Sequence, residues 1–154
     1  MVIYPSARIS DRSVIRIADD CLIGDYVLIT VPELRMGPRS QINSGSKICG
    51  TAPCYIGQDV VVSFNVLVLT ASDTLAYKMN DGSRREDRKV VAESVYIGDG
   101  CYIGAQSVIM PGVRMEPYSV VGALSYVPPM TVIQRGVVGW GAPFKAVKRR
   151  PAPK

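Results

Sequence analysis

Apolar residues in this chain recur every six positions, an interval that fits neither a helix nor an alternating strand. Starting at Val91 and stepping by six gives Val91, Ile97, Ile103, Ile109, Met115, Val121, Val127 and Ile133, all apolar. Four residues after each come Val95, Cys101, Ser107, Val113, Ser119, Ser125, Thr131 and Val137, all small or β-branched. The same period runs through Ile17, Leu22/Ile23-Gly24 and Ile29, then Met36-Gly37, Ile42 and Ile48, then Ile56-Gly57, Val62 and Val68. Two short insertions, around 30–35 and 49–55, interrupt it. A hexapeptide supplies one short strand and one turn. Its aliphatic residue points inward, and so does the small residue four later, where space near a corner is tight. Gly, Asn and Asp serve turns that need unusual backbone angles. One hexapeptide cannot bury its own apolar side chain, but stacked coils of three can, and they build a continuous core of parallel strands. The expected fold class is all-β, a hexapeptide-repeat β-solenoid. No helical periodicity competes until FKAVKRR, near the end, which is read as a short helical or extended tail.

Residues 73–90, DTLAYKMNDGSRREDRKV, carry no six-residue period. Asn80-Asp81 and Gly82 are turn signals. The stretch lies between two good repeat blocks, so it is expected to project as a loop from one corner. Long segments of this kind inside a compact domain are often functional.

With 154 residues the chain fits one domain, 1–154, with a loop at about 73–90 and a basic tail at about 139–154. No run of apolar residues approaches the eighteen needed for a transmembrane helix. The start, Met-Val-Ile-Tyr-Pro, lacks the basic region and apolar run of a secretory signal. Cys21, Cys49, Cys54 and Cys101 form no C-x-x-C pair and are read as free thiols in a reducing cytoplasm. The net charge of +5 has its surplus in KAVKRRPAPK, residues 145–154. Such a stretch suits a nucleic acid, a membrane surface or a phosphorylated ligand. Nucleic acid is set aside because the basic residues gather at one end and in one charge-balanced loop rather than on a face. The chain has no histidine. That removes three-histidine zinc sites and the Ser-His-Asp and Cys-His arrangements, and no metal is expected. The glycines follow the six-residue period and form no P-loop or dinucleotide fingerprint.

Three stretches carry a family resemblance over roughly residues 36–148. They are INSGSKI (42–48) followed by YIGQDVVVSFNVLVLTAS, then VYIGDGCYIGAQSVIMPGV (95–113), then GWGAPFKAVK (139–148). Together they resemble the hexapeptide-repeat acyltransferases, above all the maltose, galactoside and polysaccharide sugar O-acetyltransferases. The resemblance implies a left-handed parallel β-helix, against the usual right-handed crossover rule. It implies a homotrimer with acyl-CoA in the groove between neighbouring helices, and an acceptor hydroxyl or amine entering from the other end. Asn43 matches an asparagine that holds the acceptor sugar. Tyr102 lies where an aromatic residue often lines the CoA groove. Ala105 and Ala123 match residues whose backbone amides contact the pantetheine arm, and Lys145 and Lys148 match basic residues near the CoA phosphates.

Two departures stand out. Pro128 and Pro129 occupy the place of a family Thr-Lys. Asp73 stands where the family motif N-V-x-I-x-T-A-[ST]-H has its catalytic histidine: this chain reads Asn65-Val66-Leu67-Val68-Leu69-Thr70-Ala71-Ser72-Asp73. Histidine suits proton removal from a hydroxyl because its pKa lies near neutrality. Asp73 is the candidate base, with Tyr77, Asp81 or a group on the substrate as alternatives. The expected activity is acyl transfer from acetyl-CoA or another acyl-CoA to a sugar or sugar-derived small molecule. The other reading is a non-catalytic trimeric β-helix that binds a ligand or partner.

Overall fold

The computed structural model describes residues 1–73 and 89–151. They wind as a parallel β-solenoid of about six turns, with no helix among the described residues. Each turn contributes one short strand to each of three sheets. The first face stacks Val2–Ile3, Leu22–Ile23, Gln41–Ile42, Val61–Val62, Tyr102–Ile103, Val120–Val121 and Val137–Trp140. The second stacks Arg8–Ile9, Leu28–Ile29, Lys47–Cys49, Leu67–Leu69, Val108–Ile109 and Tyr126–Val127. The third stacks Val14–Ile17, Glu33–Met36, Cys54–Ile56, Val95–Ile97, Arg114–Met115 and Val132–Ile133.

The register explains the period. Ile23, Ile42, Val62, Ile103 and Val121 lie in one in-register column that points inward. Ile29, Ile48, Val68, Ile109 and Val127 form a second such column, and Met36, Ile56, Ile97, Met115 and Ile133 a third. All fifteen are buried. The small residues four positions on fill the corners, and the buried serines among them are hydrogen-bonded. Ser107 Oγ donates to the Gly122 carbonyl (3.0 Å) and accepts the Ser125 amide (3.2 Å). Ser46 Oγ donates to the Ser63 carbonyl (2.7 Å) and accepts the Val66 amide (3.1 Å). A hydroxyl placed so satisfies itself and ties two coils together.

The glycines after the aliphatic residues have a different reason from the one expected. Gly104 has no positive φ; a Cβ there would lie 2.3 Å from the Ala123 amide nitrogen of the next coil. The position is glycine because two backbones approach closely. The left-handed corners are held largely by other residues, among them Asp59 (φ 56°), Asn65 (φ 54°), Tyr118 (φ 63°) and Leu124 (φ 58°). Asn and Asp suit this region by propensity. Tyr118 and Leu124 are held there by the stacked strands on either side.

The irregularities share one corner, between the second and third faces. The interruptions around 30–35 and 49–55 both fall there, as does the long break. The break differs from a plain 73–90 loop. Ala71–Asp73 and Val90–Ala92 pair antiparallel, with Asp73 opposite Val90, so both ends of the break are strands; the rest of the expected loop, 74–88, lies outside the described residues. Val91 therefore sits in this strand pair opposite Ser72 and leaves the core ladder, which begins instead at Val95 and Ile97.

At the carboxyl end, Lys145–Arg149 is a strand, which corrects the helical alternative for FKAVKRR. It pairs antiparallel with Val137–Trp140 and extends the first face by one strand. Phe144 packs against the core. Arg150 then reaches back across the coils: its Nη2 donates to the Gly100 carbonyl (2.6 Å), its Nε to the Tyr118 carbonyl, and its amide to the Gly136 carbonyl (2.9 Å). The ties of the first turn reach only the next coil: Ser6 Oγ donates to Asp25 Oδ1 (2.6 Å) and accepts the Tyr26 amide (3.1 Å), and Ser13 Oγ donates to the Val31 carbonyl (2.6 Å). The three strands of this turn are the outermost strands of their sheets, and Val2, Ile3 and Val14 are exposed.

Candidate functional site

The corner between the first and second faces gathers most of the sequence-predicted site residues. Asn43 follows the buried Ile42, in the place held by Gly24, Gly104 and Gly122 on other coils. It is half-buried, and its Nδ2 donates to the Val62 carbonyl of the next coil (2.9 Å). That bond holds the side chain at the corner and occupies one of its donors. Ala105 and Ala123 occupy the next corner position on successive coils. The Leu124 amide donates to the Ala105 carbonyl (2.9 Å) and locks the two turns in register.

Tyr102 lies on the outward side of the first face, exposed, between Val61 and Val120. The column continues to Val138, and Lys148 stands opposite Val138 on the added strand. Lys145 stands opposite Trp140 on that strand, and both lysines are exposed. Three strand spacings separate Tyr102 from Lys148, about 14 Å at ~4.8 Å each. Asn43, Tyr102, Ala105, Ala123, Lys145 and Lys148 thus share the first face and its corner with the second.

Asp73 does not join them. It is exposed at the end of the antiparallel strand pair, on the opposite edge of the second face. Within one chain the width of that face separates it from Asn43. The alternatives Tyr77 and Asp81 lie outside the described residues. Pro128 and Pro129 occupy the turn after Tyr126–Val127, where the Pro128 carbonyl accepts the Thr131 hydroxyl (2.7 Å). Among the described residues no three His, Cys, Asp or Glu side chains converge. The four cysteines are free. Burial pushes the Cys54 thiol up to about 12 and raises Cys101 as well.

A surface feature that sequence reasoning missed lies on the third face. Arg35, Tyr55, Tyr96 and Arg114 form its outward column. The two rings stack with centroids 4.9 Å apart. The signal was present as outward positions beside Met36, Ile56, Ile97 and Met115, but it spans coils of unequal length and the long break.

Residues 94–129 match the family model for the bacterial transferase hexapeptide (six repeats). No curated protein matches the chain by sequence. Several solved structures share the fold. A mutant of AntD, an N-acyltransferase from Bacillus cereus in complex with dTDP and coenzyme A, superimposes with a TM-score of 0.87 at 22% identity, covering 97% of this chain and 80% of that one. A galactoside acetyltransferase in complex with coenzyme A gives 0.72 at 21% identity, covering 87% and 64%. The hexapeptide-repeat acetyltransferase VCA0836 from Vibrio cholerae gives 0.72 at 21%, covering 89% and 73%. Together with the repeat match, these likenesses are consistent with the left-handed parallel β-helix.

Proposed function

We propose that the chain is an acyl-CoA-dependent acyltransferase that carries an acetyl group to a hydroxyl of a sugar or sugar-derived small molecule. The observation that supports this reading is the shared surface of the first face: stacked turns at Ala105 and Ala123, Tyr102 beside them, and two exposed lysines at the edge. A flat apolar wall, a corner of stacked amides and a basic end suit the pantetheine arm and phosphates of CoA. The AntD and galactoside acetyltransferase structures that share this fold contain coenzyme A.

In this reading the acceptor oxygen attacks the thioester carbonyl within a ternary complex. The new ester bond forms, the carbon–sulfur bond breaks, the acceptor proton passes to a base, and CoA leaves as the thiol after taking up a proton. Asn43 orients the acceptor. Asp73 is the base. One chain holds Asp73 a full face away from Asn43, so the reading requires a homotrimer in which a neighbouring copy brings its Ala71–Asp73 strand to the groove. An ordinary carboxylate, with a pKa of about 4, is a weak base for a hydroxyl. Enclosure in an assembled groove strengthens such a group. The four free thiols and the use of acyl-CoA favour a cytoplasmic setting.

The test is titration calorimetry with CoA and acetyl-CoA, followed by turnover against a panel of sugar acceptors. Binding with turnover is expected. Asp73→Asn keeps shape and removes basicity, so turnover is expected to fall about 10²-fold or more while CoA affinity holds. An equally active Asp73→Asn assigns the base to another group. The absence of histidine favours one other reading, a binding protein that kept the groove and lost the chemistry. CoA binding without turnover, with transfer gained by Asp73→His, would establish it. No CoA binding rejects the site.

A further inference from the structure

The third face carries a charged column that acyl transfer does not use. From the amino end its outward residues are Arg16, Arg35, Tyr55, Tyr96 and Arg114, in register on five successive coils. The Arg35 guanidinium lies 5.6 Å from the Tyr55 ring centre and the Arg114 guanidinium 4.5 Å from that of Tyr96. With the stacked rings between them, these side chains form a continuous stack. A guanidinium lying on a ring uses its face and leaves its N–H edge for an anion. It is also held in place, so little rotamer freedom remains to be lost on binding.

The charges are poorly matched within the chain. Among the described residues only Arg35 of the three arginines is ion-paired, to Glu33 at 2.7 Å. Arg16 and Arg35 are like charges directly opposite each other in a sheet, a destabilising arrangement that the Glu33 carboxylate offsets at Arg35 alone. Glu116, at the edge of the column, is already engaged: its Oε2 accepts the Arg135 amide at 2.8 Å. Beside the stack runs a groove floored by Gly57 and Gly98, about 410 Å³ between Arg35 and Arg114. A second hollow of about 400 Å³ joins it at Arg35 and reaches Arg16. Gly57 and Gly98 are glycine because the next coil closes on them: a Cβ at Gly57 would lie 2.2 Å from Asp99 Oδ1, and one at Gly98 2.8 Å from the Pro117 nitrogen.

We propose that this column binds a linear oligoanion laid along the solenoid axis. Four strand spacings separate Arg16 from Arg114, about 19 Å at ~4.8 Å each. A single small anion meets one arginine at a time, whereas a chain of acids meets all three, with the tyrosine edges between them. The ligand class is a chain of carboxylates or phosphates, either an acidic oligosaccharide or an oligophosphate.

Calorimetry on the full chain with oligogalacturonate and linear polyphosphate of matched charge, beside monomeric galacturonate and inorganic phosphate, tests this. At least one oligomer is expected to bind, and more tightly per charge than its monomer. Binding by oligogalacturonate alone identifies a glycan, and by polyphosphate alone a phosphate chain. Arg16→Gln and Arg114→Gln are each expected to weaken binding about tenfold. Tyr96→Leu, which changes no charge but removes the ring beneath Arg114, is expected to weaken it too. Melting curves confirm that these exposed variants fold. Lys145→Gln with Lys148→Gln is expected to leave oligoanion affinity unchanged. If neither oligomer binds, if monomers bind equally per charge, or if the lysine variant loses as much as the arginine variants, the proposal is overturned.

Discussion

Ile103 and Gly104 show how much a single position in this fold decides. Ile103 is fully buried between Val62 and Val121. Ile103→Ala leaves a cavity that two neighbouring coils cannot close, and is expected to cost about 2–5 kcal/mol in a denaturant melt. A loss below half a kcal/mol would mean that the core register is wrong. Gly104→Ala adds one methyl group yet sets it against the next coil's backbone, and is expected to lower the melting temperature by several degrees. The inward aliphatic residues were legible because burial of a large apolar side chain admits few alternatives. The reason for Gly104 was not, since glycine reads alike whether it serves a turn angle or a close approach. Tyr118 and Leu124 at left-handed corners were illegible for a further reason: local propensity disfavours them, and stacking overrides it. The thiols follow from burial as well. Cys49 is partly exposed and is expected to react first with a thiol reagent, with Cys21, Cys54 and Cys101 reacting only on unfolding. Because the folded-state pKa of Cys54 is raised, its contribution to stability is fully present below the unfolded thiol value of about 8.5. It declines as pH rises from there toward the folded value of about 12. Melts at pH 8 and pH 10 measure that decline, which Cys54→Ala is expected to reduce.

At the scale of elements, the break in the repeat was visible and its architecture was not. Absence of a six-residue period says that the chain leaves the solenoid. It does not say that Ala71–Asp73 and Val90–Ala92 pair as they leave, because that strand pair has no core to imprint a pattern. Val91 kept step with the ladder by coincidence of spacing. The candidate site was likewise half legible. Matching motifs assembled Asn43, Tyr102, Ala105, Ala123 and the two lysines, which do share one surface. The same matching gave no warning that Asp73 sits across the second face, since sequence order carries no record of which corner a residue occupies. The edge strand offers a direct test of the proposed CoA surface. Lys145→Ala with Lys148→Ala removes two exposed charges from a strand paired through its backbone. CoA affinity is expected to fall and its salt dependence to flatten, while the melting curve stays in place. Unchanged affinity would move the CoA phosphates elsewhere.

For the whole molecule, stacked coils behave as a near one-dimensional array in which each turn is stabilised mainly by its neighbours. The two ends of this array differ. Arg150 fastens carbonyls of three turns at the carboxyl end, whereas the first turn is paired on one side only. The molecule should therefore have a direction of failure. Amides of Val2, Arg8 and Arg16 are expected to exchange hydrogen well before those of Tyr102, Val108 and Arg114, which hold equivalent places higher in the stack. Equal protection at both ends would contradict this. Arg150→Ala is expected to even out the gradient more than it lowers global stability. A stack whose carboxyl-terminal turns are tied together across three coils unwinds like a spool from the turns that lack that tie. Under stress it can lose its first turns while its carboxyl-terminal half, with most of the proposed CoA surface, stays wound.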